Sequence, residues 1–173
     1  MQGYELQWSK LKSRLIALIE PEIRKRVDFH LTQHRTHYDE VSQRVCTCPN
    51  APREIWVMVD GLKVFSANYS EYQMEEQVLL RHGIEPQEAL DVLARREIHD
   101  YREVGDSLRA YLDLDPHEAL TSQNPILRGL AMIDRRVGER TLKKLKISDD
   151  EHSLVRVFYY LRCANARGER PRR

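Results

Sequence analysis

The chain has 173 residues, a length typical of a single domain and sufficient for a substantial hydrophobic core. Hydrophobic residues make up 41% and charged residues 32%, which excludes a chain without a core, and no apolar run is long enough to cross a bilayer. Three cysteines do not make a disulfide framework, and the first residues lack the cationic start and apolar block of a signal peptide, so we expect none. We therefore expect a reduced, cytoplasmic protein without a cofactor.

The charges are distributed unevenly along the chain. Residues 69–118 carry 13 acidic and 5 basic side chains, a net charge of −8, whereas residues 124–147 carry 7 basic and 2 acidic, a net charge of +5. Such an asymmetry is either neutralised within the fold or marks surfaces that face partners.

The first third of the chain predicts a helix and a small sheet. Apolar residues from Trp8 to Ile19 keep helical spacing up to Glu20-Pro21, and alternation from Arg26 to Arg35 indicates a half-buried strand. Asp60-Gly61 separates two β-branched and aromatic runs, residues 54–59 and 62–66, and is typical of a hairpin turn. Residues 36–53 are interpreted as a long loop, in which a short extra strand could lie near 44–47.

The remainder of the chain is predicted to be helical. Ser70 with Gln73 indicates a capping box, Pro86 and Pro116 mark further helix starts, and Ser148 with Glu151 indicates the cap of the last helix. We predict an α+β fold with an N-terminal helix on a three-stranded antiparallel sheet, followed by a mostly helical C-terminal half. The proposed boundaries are residues 1–68, 69–167 and a basic tail at 168–173; the first two could also form one continuous domain.

The clearest helix signal lies in Ser122 to Leu145. Asn124-Pro125 predicts a capped start, an apolar stripe runs to Val137, and Gly138 ends it. Asp134 falls inside this stripe, and Arg162 falls inside the apolar stripe of the last helix. We predict that the two helices pack together and that these two side chains form a buried pair that fixes their register.

The same segment is strongly basic. Six side chains could line one ridge and bind an anionic partner: Arg128, Arg135, Arg136, Arg140, Lys143 and Lys144. Aromatic residues that could stack on bases are absent from the segment, which disfavours recognition of single strands. A solvated or internally paired face is the simpler interpretation.

Catalytic motifs are missing from the sequence. His30 and His34, followed by Cys46 and Cys48, suggest a metal, but their spacing matches none of the usual structural zinc sites, so we predict no stoichiometric zinc. Residues 8–82 have the element order of a double-stranded-RNA-binding domain. The helix that would grip phosphate in that fold is acidic here, from Ser70 to Glu76.

Three stretches resemble a family of small, uncharacterised bacterial proteins: Trp8 to Lys12, Leu130 to Gly138 after Asn124-Pro125, and Leu154 to Arg162. This resemblance implies no activity, cofactor or site residue. The leading hypothesis is a non-enzymatic binding or regulatory protein that uses a charged helical surface on a macromolecular partner, a protein rather than a nucleic acid. The alternative is nucleic-acid contact by residues 128–146. The third is an enzyme or metal protein built on the region of His30, His34, Cys46 and Cys48.

Overall fold

The computed structural model describes residues 7–32, 37–39, 44–46 and 53–166. The N-terminal elements are α1 (Trp8–Leu18), β1 (Val27–Thr32), β2 (His37–Asp39), β3 (Arg44–Cys46), β4 (Glu54–Val59) and β5 (Leu62–Asn68). The helices that follow are α2 (Tyr69–Arg81), α3 (Pro86–Arg95), α4 (Tyr101–Tyr111), α5 (Pro116–Ala119), α6 (Pro125–Ile133), α7 (Glu139–Leu142) and α8 (Ser153–Ala166). The predicted α+β fold is confirmed.

Strands β1, β4 and β5 form one antiparallel sheet in the order β1-β4-β5. Alternate residues point inward, so that Phe29, Val57 and Phe65 are buried while their neighbours face outward. The predicted hairpin is confirmed at Asp60-Gly61. Both residues have positive φ, 52° and 80°, as a tight two-residue turn between twisted strands requires.

A single core cluster joins the sheet to the helices that cover its inner face. It contains buried side chains from α1, the three strands, α4, α6 and α8. Helix α6 packs most extensively against α8, and Gly129 allows this close approach. A Cβ atom at that position would lie 3.3 Å from Leu154 Cγ, tighter than ordinary contact.

The prediction that α6 continues to Val137 is wrong. The helix ends at Ile133, and Asp134 is extended, with φ −70° and ψ 129°. Its carboxylate accepts a hydrogen bond from the Arg136 N–H at 2.7 Å, a local turn that competes with the helix. Two main-chain hydrogen bonds join this turn to the end of α1: Glu20 N donates to Ile133 O, and Arg135 N donates to Leu18 O.

The start of α2 also differs from the prediction. Asn68 is the N-cap, and its side-chain oxygen accepts from the backbone N–H groups of Ser70 and Glu71. The expected capping box of Ser70 with Gln73 is therefore wrong, since the helix begins two residues earlier and an amide caps it.

The last helix begins later than predicted. Ser148 closes only a turn, in which its hydroxyl accepts from Asp150 N at 3.3 Å, and α8 starts at Ser153. The N–H of Ser153 donates instead to the Glu97 carboxylate at 2.7 Å. A side chain from a distant loop thus replaces the local cap that the sequence pattern indicates.

Candidate functional site

Asp134 is the most deeply buried acidic side chain among the described residues, with 1% of its surface exposed. Its carboxylate accepts from the Tyr111 hydroxyl at 2.7 Å and from Arg136 Nη2 at 2.8 Å. Burial, together with the adjacent negative charge, raises the pKa of the Tyr111 hydroxyl well above its usual value. The Asp134 carboxylate is therefore fully engaged by its own chain.

Arg162 is also buried, at 6% exposure, but it reaches backbone rather than the Asp134 carboxylate. Its guanidinium donates to the carbonyls of Ile133, Asp134 and Val137 at 3.2–3.3 Å, and it forms an ion pair with Glu20 at 2.5 Å. The predicted pairing of the two side chains is therefore wrong in its partners, although both are buried and α6 packs on α8. Because the chain leaves the helix at Ile133, the Asp134 carbonyl faces Arg162 and its carboxylate turns towards Tyr111.

Together these side chains form what we call the clasp: Glu20, Tyr111, Asp134, Arg136 and Arg162. It joins the end of α1, the end of α4, the turn after α6 and the middle of α8. Each of these five side chains has a partner within the clasp or in the adjoining backbone, which identifies the clasp as a structural element.

The six basic residues predicted to form an anion-binding ridge fall into two groups. Three are held by acidic side chains of the same chain: Arg128 by Glu151 at 2.8 Å, Arg136 by Asp134, and Lys143 by Glu139 at 3.2 Å. The other three, Arg135, Arg140 and Lys144, are exposed. The positive charge of this segment is thus in part neutralised within the fold.

The residues of the metal hypothesis are only in part within the described structure. His34 and Cys48 lie outside the described residues. His30 stacks on Trp56 with ring centroids 5.0 Å apart, and its Nε2 lies 3.1 Å from the Asp28 carboxylate. Across the described ranges, no group of three or more His, Cys, Asp or Glu side chains is arranged to hold a metal ion.

A polar cluster that sequence spacing does not reveal joins the loop after α3 to the start of α8. His99 Nε2 and His152 Nε2 are 2.9 Å apart, and the Glu97 carboxylate accepts from both the N–H and the hydroxyl of Ser153. Glu97 has a positive φ of 56°, a backbone conformation that residues other than glycine adopt at a cost in free energy. Its two hydrogen bonds at the start of α8 offset that cost.

The hydrogen bonds of this cluster fix the protonation of both imidazoles. His152 Nδ1 accepts from Leu154 N at 3.1 Å, so its ring proton is on Nε2 and is donated to His99 Nε2. Burial lowers the pKa of His99 to about 4 and also lowers the pKa of His152. Burial alone would raise the pKa of Glu97, but the hydrogen bonds from Ser153 outweigh it and lower that pKa. The cluster is therefore a neutral histidine pair beside a carboxylate, suited to holding two elements together.

Helices α2 and α3 form a hairpin that contributes little to the core. Of these two helices only Tyr69 packs against the core cluster, and the buried residues Tyr72, Ala89 and Leu93 lie outside that cluster. The hairpin is connected to the rest of the fold by the chain from β5 and by the chain that leads to α4, whereas an ion pair of Glu75 with Arg96 at 3.0 Å joins α2 to the end of α3. It is consequently the helical element least integrated into the described fold.

The outer surface of this hairpin is both apolar and acidic. Six large hydrophobic side chains are exposed in the described part of the chain, and four of them are here: Met74, Val78, Leu80 and Leu90. On α2, Met74 and Val78 are one turn apart and share the face opposite Tyr72, with Glu71 and Arg81 at its two ends. Residues 69–95 carry six acidic and two basic side chains, a net charge of −4.

The fold and its surfaces define a small α+β protein whose core elements are joined by the hydrogen bonds and ion pairs of the clasp, with an acidic helical hairpin at its periphery. No helix among the described residues has the length and apolar character needed to span a membrane. The chain matches the model of the SF0329 protein family over residues 7–163, and it belongs to that family. The family description names no function, and neither the curated proteins nor the solved structures gave a match.

Proposed function

We propose that this protein is a non-enzymatic binding protein that docks a segment of another protein on the outer face of the α2–α3 hairpin. The observation that carries the proposal is the concentration of exposed apolar side chains on this one acidic element. A partner segment that matches this face presents apolar side chains at helical spacing, bordered by lysine or arginine.

The chemistry of the hairpin favours such a partner over a nucleic acid. The face is negative, so it would repel a phosphate backbone, while Met74 and Val78 offer apolar area that a phosphate cannot use. Methionine adapts to differently shaped apolar partners because its side chain is unbranched and polarisable. Only part of the hairpin is tied to the core, so docking can adjust its position without disturbing the clasp.

Nucleic-acid contact by residues 128–146 remains the second candidate, with less support. Three of the six basic residues predicted to form the ridge are engaged by carboxylates, which leaves Arg135, Arg140 and Lys144 of that set to contact phosphates. Three phosphate contacts would give a slope of about −3 in a plot of log K against log salt concentration on duplex DNA, a weak dependence. Replacing Arg135, Arg140 and Lys144 by glutamine would abolish binding of this kind and leave the hairpin unaffected.

A photo-crosslinking amino acid at Met74 tests the hairpin directly, with the same amino acid at Leu62 as a matched control. The two positions are equally exposed, at 69% and 70%, but Leu62 is isolated beside the β4–β5 turn. We expect Met74 to capture a defined partner in cells and Leu62 to capture none. The contacted partner segment, located by mass spectrometry of the cross-linked peptide, should be basic and amphipathic.

Charge and shape at the hairpin provide the second half of this test. Val78→Lys in the Met74-labelled protein should abolish capture, because it places a cation in the apolar stripe and repels a basic segment. Leu62→Lys, at an exposed hydrophobic position away from the α2–α3 hairpin, controls for a general effect of adding charge. Capture of the same proteins from Met74 and Leu62, or capture that survives Val78→Lys, would refute the proposed function.

A further inference from the structure

A cavity lies between α1, the sheet and α4, away from the α2–α3 hairpin. Its volume is about 320 Å³, at the small end of the range of ligand pockets in proteins, about 300–1,000 Å³. One wall is apolar and comes from α1 and the strands: Trp8, Leu11, Leu31 and Ile55. Leu11 and Ile55 belong to the core cluster, so this wall is a rigid part of the fold.

The opposite wall is formed by α4, at a glycine. Gly105 lies in the interior of the helix, where glycine costs about 1 kcal/mol relative to alanine. Neither backbone conformation nor packing demands it. A Cβ atom there would be 3.4 Å from Arg109 Nη1 and 3.5 Å from Ile55 Cδ1, which is ordinary contact. Because Gly105 has no side chain, backbone alone lines the cavity at this position of α4.

Arginines surround the mouth of the cavity. Arg102 and Arg109 line it, and Arg53 donates to the Tyr101 hydroxyl at 2.9 Å. The Arg102 guanidinium is 5.8 Å from the centre of the Tyr101 ring. Burial alone would raise the pKa of that hydroxyl, but hydrogen bonds from Arg102 and Arg53, together with their charges, lower it. The mouth is therefore a region of positive potential.

Among the described residues that line this cavity one is acidic, Asp106, and it pairs with Arg109 but not with Arg102. The Asp106 carboxylate accepts a hydrogen bond from Arg109 Nη1 at 2.9 Å. Arg109 Nε, in contrast, is buried and has no hydrogen-bond partner among the described residues. A buried donor without an acceptor is unfavourable, and a second acceptor at the cavity mouth would satisfy it.

We propose that this cavity binds a small amphipathic anion, a monocarboxylate with an apolar chain. The chain lies against the apolar wall and the backbone of Gly105, and the carboxylate faces the guanidinium groups of Arg102 and Arg109. The cavity is a site separate from the docking surface on the hairpin, and the proposal does not depend on the function proposed for that surface.

Octanoate titration of the full-length protein tests this proposal, with the emission of Trp8 as the signal. The chain has two tryptophans, so Trp56→Phe leaves Trp8 as the sole reporter inside the cavity wall. We expect saturable binding of octanoate and about tenfold weaker binding of 1-octanol, which has the same chain without the charge. Arg102→Gln and Arg109→Gln should each weaken octanoate about tenfold, while Arg81→Gln, on the hairpin, should have no effect.

Gly105→Ala separates ligand binding from folding. Alanine improves the helix and fits sterically, so this variant should melt at a higher temperature while binding octanoate about tenfold more weakly, because one methyl group occupies ligand space. No saturable change in Trp8 emission, equal affinity for octanoate and 1-octanol, or unchanged octanoate affinity in Gly105→Ala would each overturn the proposal.

Discussion

The clasp and the α2–α3 hairpin represent two opposite uses of polar and apolar residues in one small fold. The clasp buries charged side chains and satisfies them internally, through contacts of Asp134 and Arg162 that join four segments of the chain. The hairpin exposes apolar side chains and leaves its acidic residues at the surface. Residues whose chemistry conflicts with their location thus indicate a structural constraint in the interior and a binding surface outside.

Asp134→Ala should have the largest effect on stability. It removes the acceptor of the buried Tyr111 hydroxyl and of the Arg136 N–H, so we expect a loss of about 3 kcal/mol or more in the free energy of unfolding. Urea denaturation measures the loss. Arg135→Ala, at the exposed neighbouring position, should change stability by less than about 0.5 kcal/mol. Similar values for the two variants would mean that the clasp carries no special stability.

Arg162→Met should follow, at about 2 kcal/mol. Methionine keeps the apolar stem but removes the donors to three carbonyls and the partner of Glu20, which is partly exposed and can regain water. A double-mutant cycle with Glu20→Gln should give a coupling energy of about 1 kcal/mol. The same cycle between Arg162 and Asp134→Asn should give a smaller coupling, since their link is through a main-chain carbonyl.

Acid should weaken the junction between α8 and the loop after α3, which carries Glu97 and His99. The folded pKa of His99 is about 4, and that of His152 is also lowered, so the unfolded chain binds more protons than the folded chain below pH 6.5. Stability is therefore complete above pH 6.5 and is lost as pH falls towards 4, by about 2 kcal/mol in total. The lowered pKa of Glu97 adds a loss of the same sign at still lower pH.

Denaturation midpoints measured from pH 7 to pH 4 give the slope of stability against pH. His99→Gln keeps an acceptor for the His152 N–H but does not titrate, so its slope should be shallower. His82→Gln, at an exposed histidine of the hairpin loop, should leave the slope as it is in the parent protein. If His99→Gln shows the same slope of stability against pH as the parent protein, the histidine pair is not the cause of the acid sensitivity.

The smallest effect on stability is expected on the hairpin itself. Met74→Ser removes a side chain that makes little contact in the folded protein, so the free energy of unfolding should change by less than about 0.5 kcal/mol. Leu130→Ala, in the core on α6, should cost about 3 kcal/mol in the same assay. A large loss from Met74→Ser would mean that this face packs against the fold and is not free for a partner.

The sequence predicts those parts of the fold that depend on local chemistry. Asp60-Gly61 specifies its turn because both positions need positive φ, and the apolar period correctly places Asp134 and Arg162 in the interior. The partners of these two residues were missed because a helical wheel assumes that the helix continues. The turn formed by the Asp134 side chain ends the helix at Ile133. As a result the Asp134 carbonyl, and not its carboxylate, faces Arg162.

Contacts between distant segments were not accessible from one sequence. His99 and His152 are 53 residues apart, and Glu97 caps a helix that begins 56 residues later, so no spacing rule connects them. Met74 and Val78 did carry a signal, because they lie on the face of α2 opposite Tyr72, and an amphipathic helix with a single buried face leaves such residues exposed. The charge difference between residues 69–118 and 124–147 did not show which side chains pair within the fold.

Native-state hydrogen exchange compares the clasp and the hairpin within one sample. The Glu20 and Arg135 amides, which donate across the clasp, should exchange only through global unfolding, with the free energy that denaturant measures. The amides of α2 and α3 should open with a free energy at least about 2 kcal/mol lower, as expected for a hairpin largely outside the core and available to a partner. Equal opening free energies for the two regions would contradict the distinction between a rigid clasp and a separable docking element.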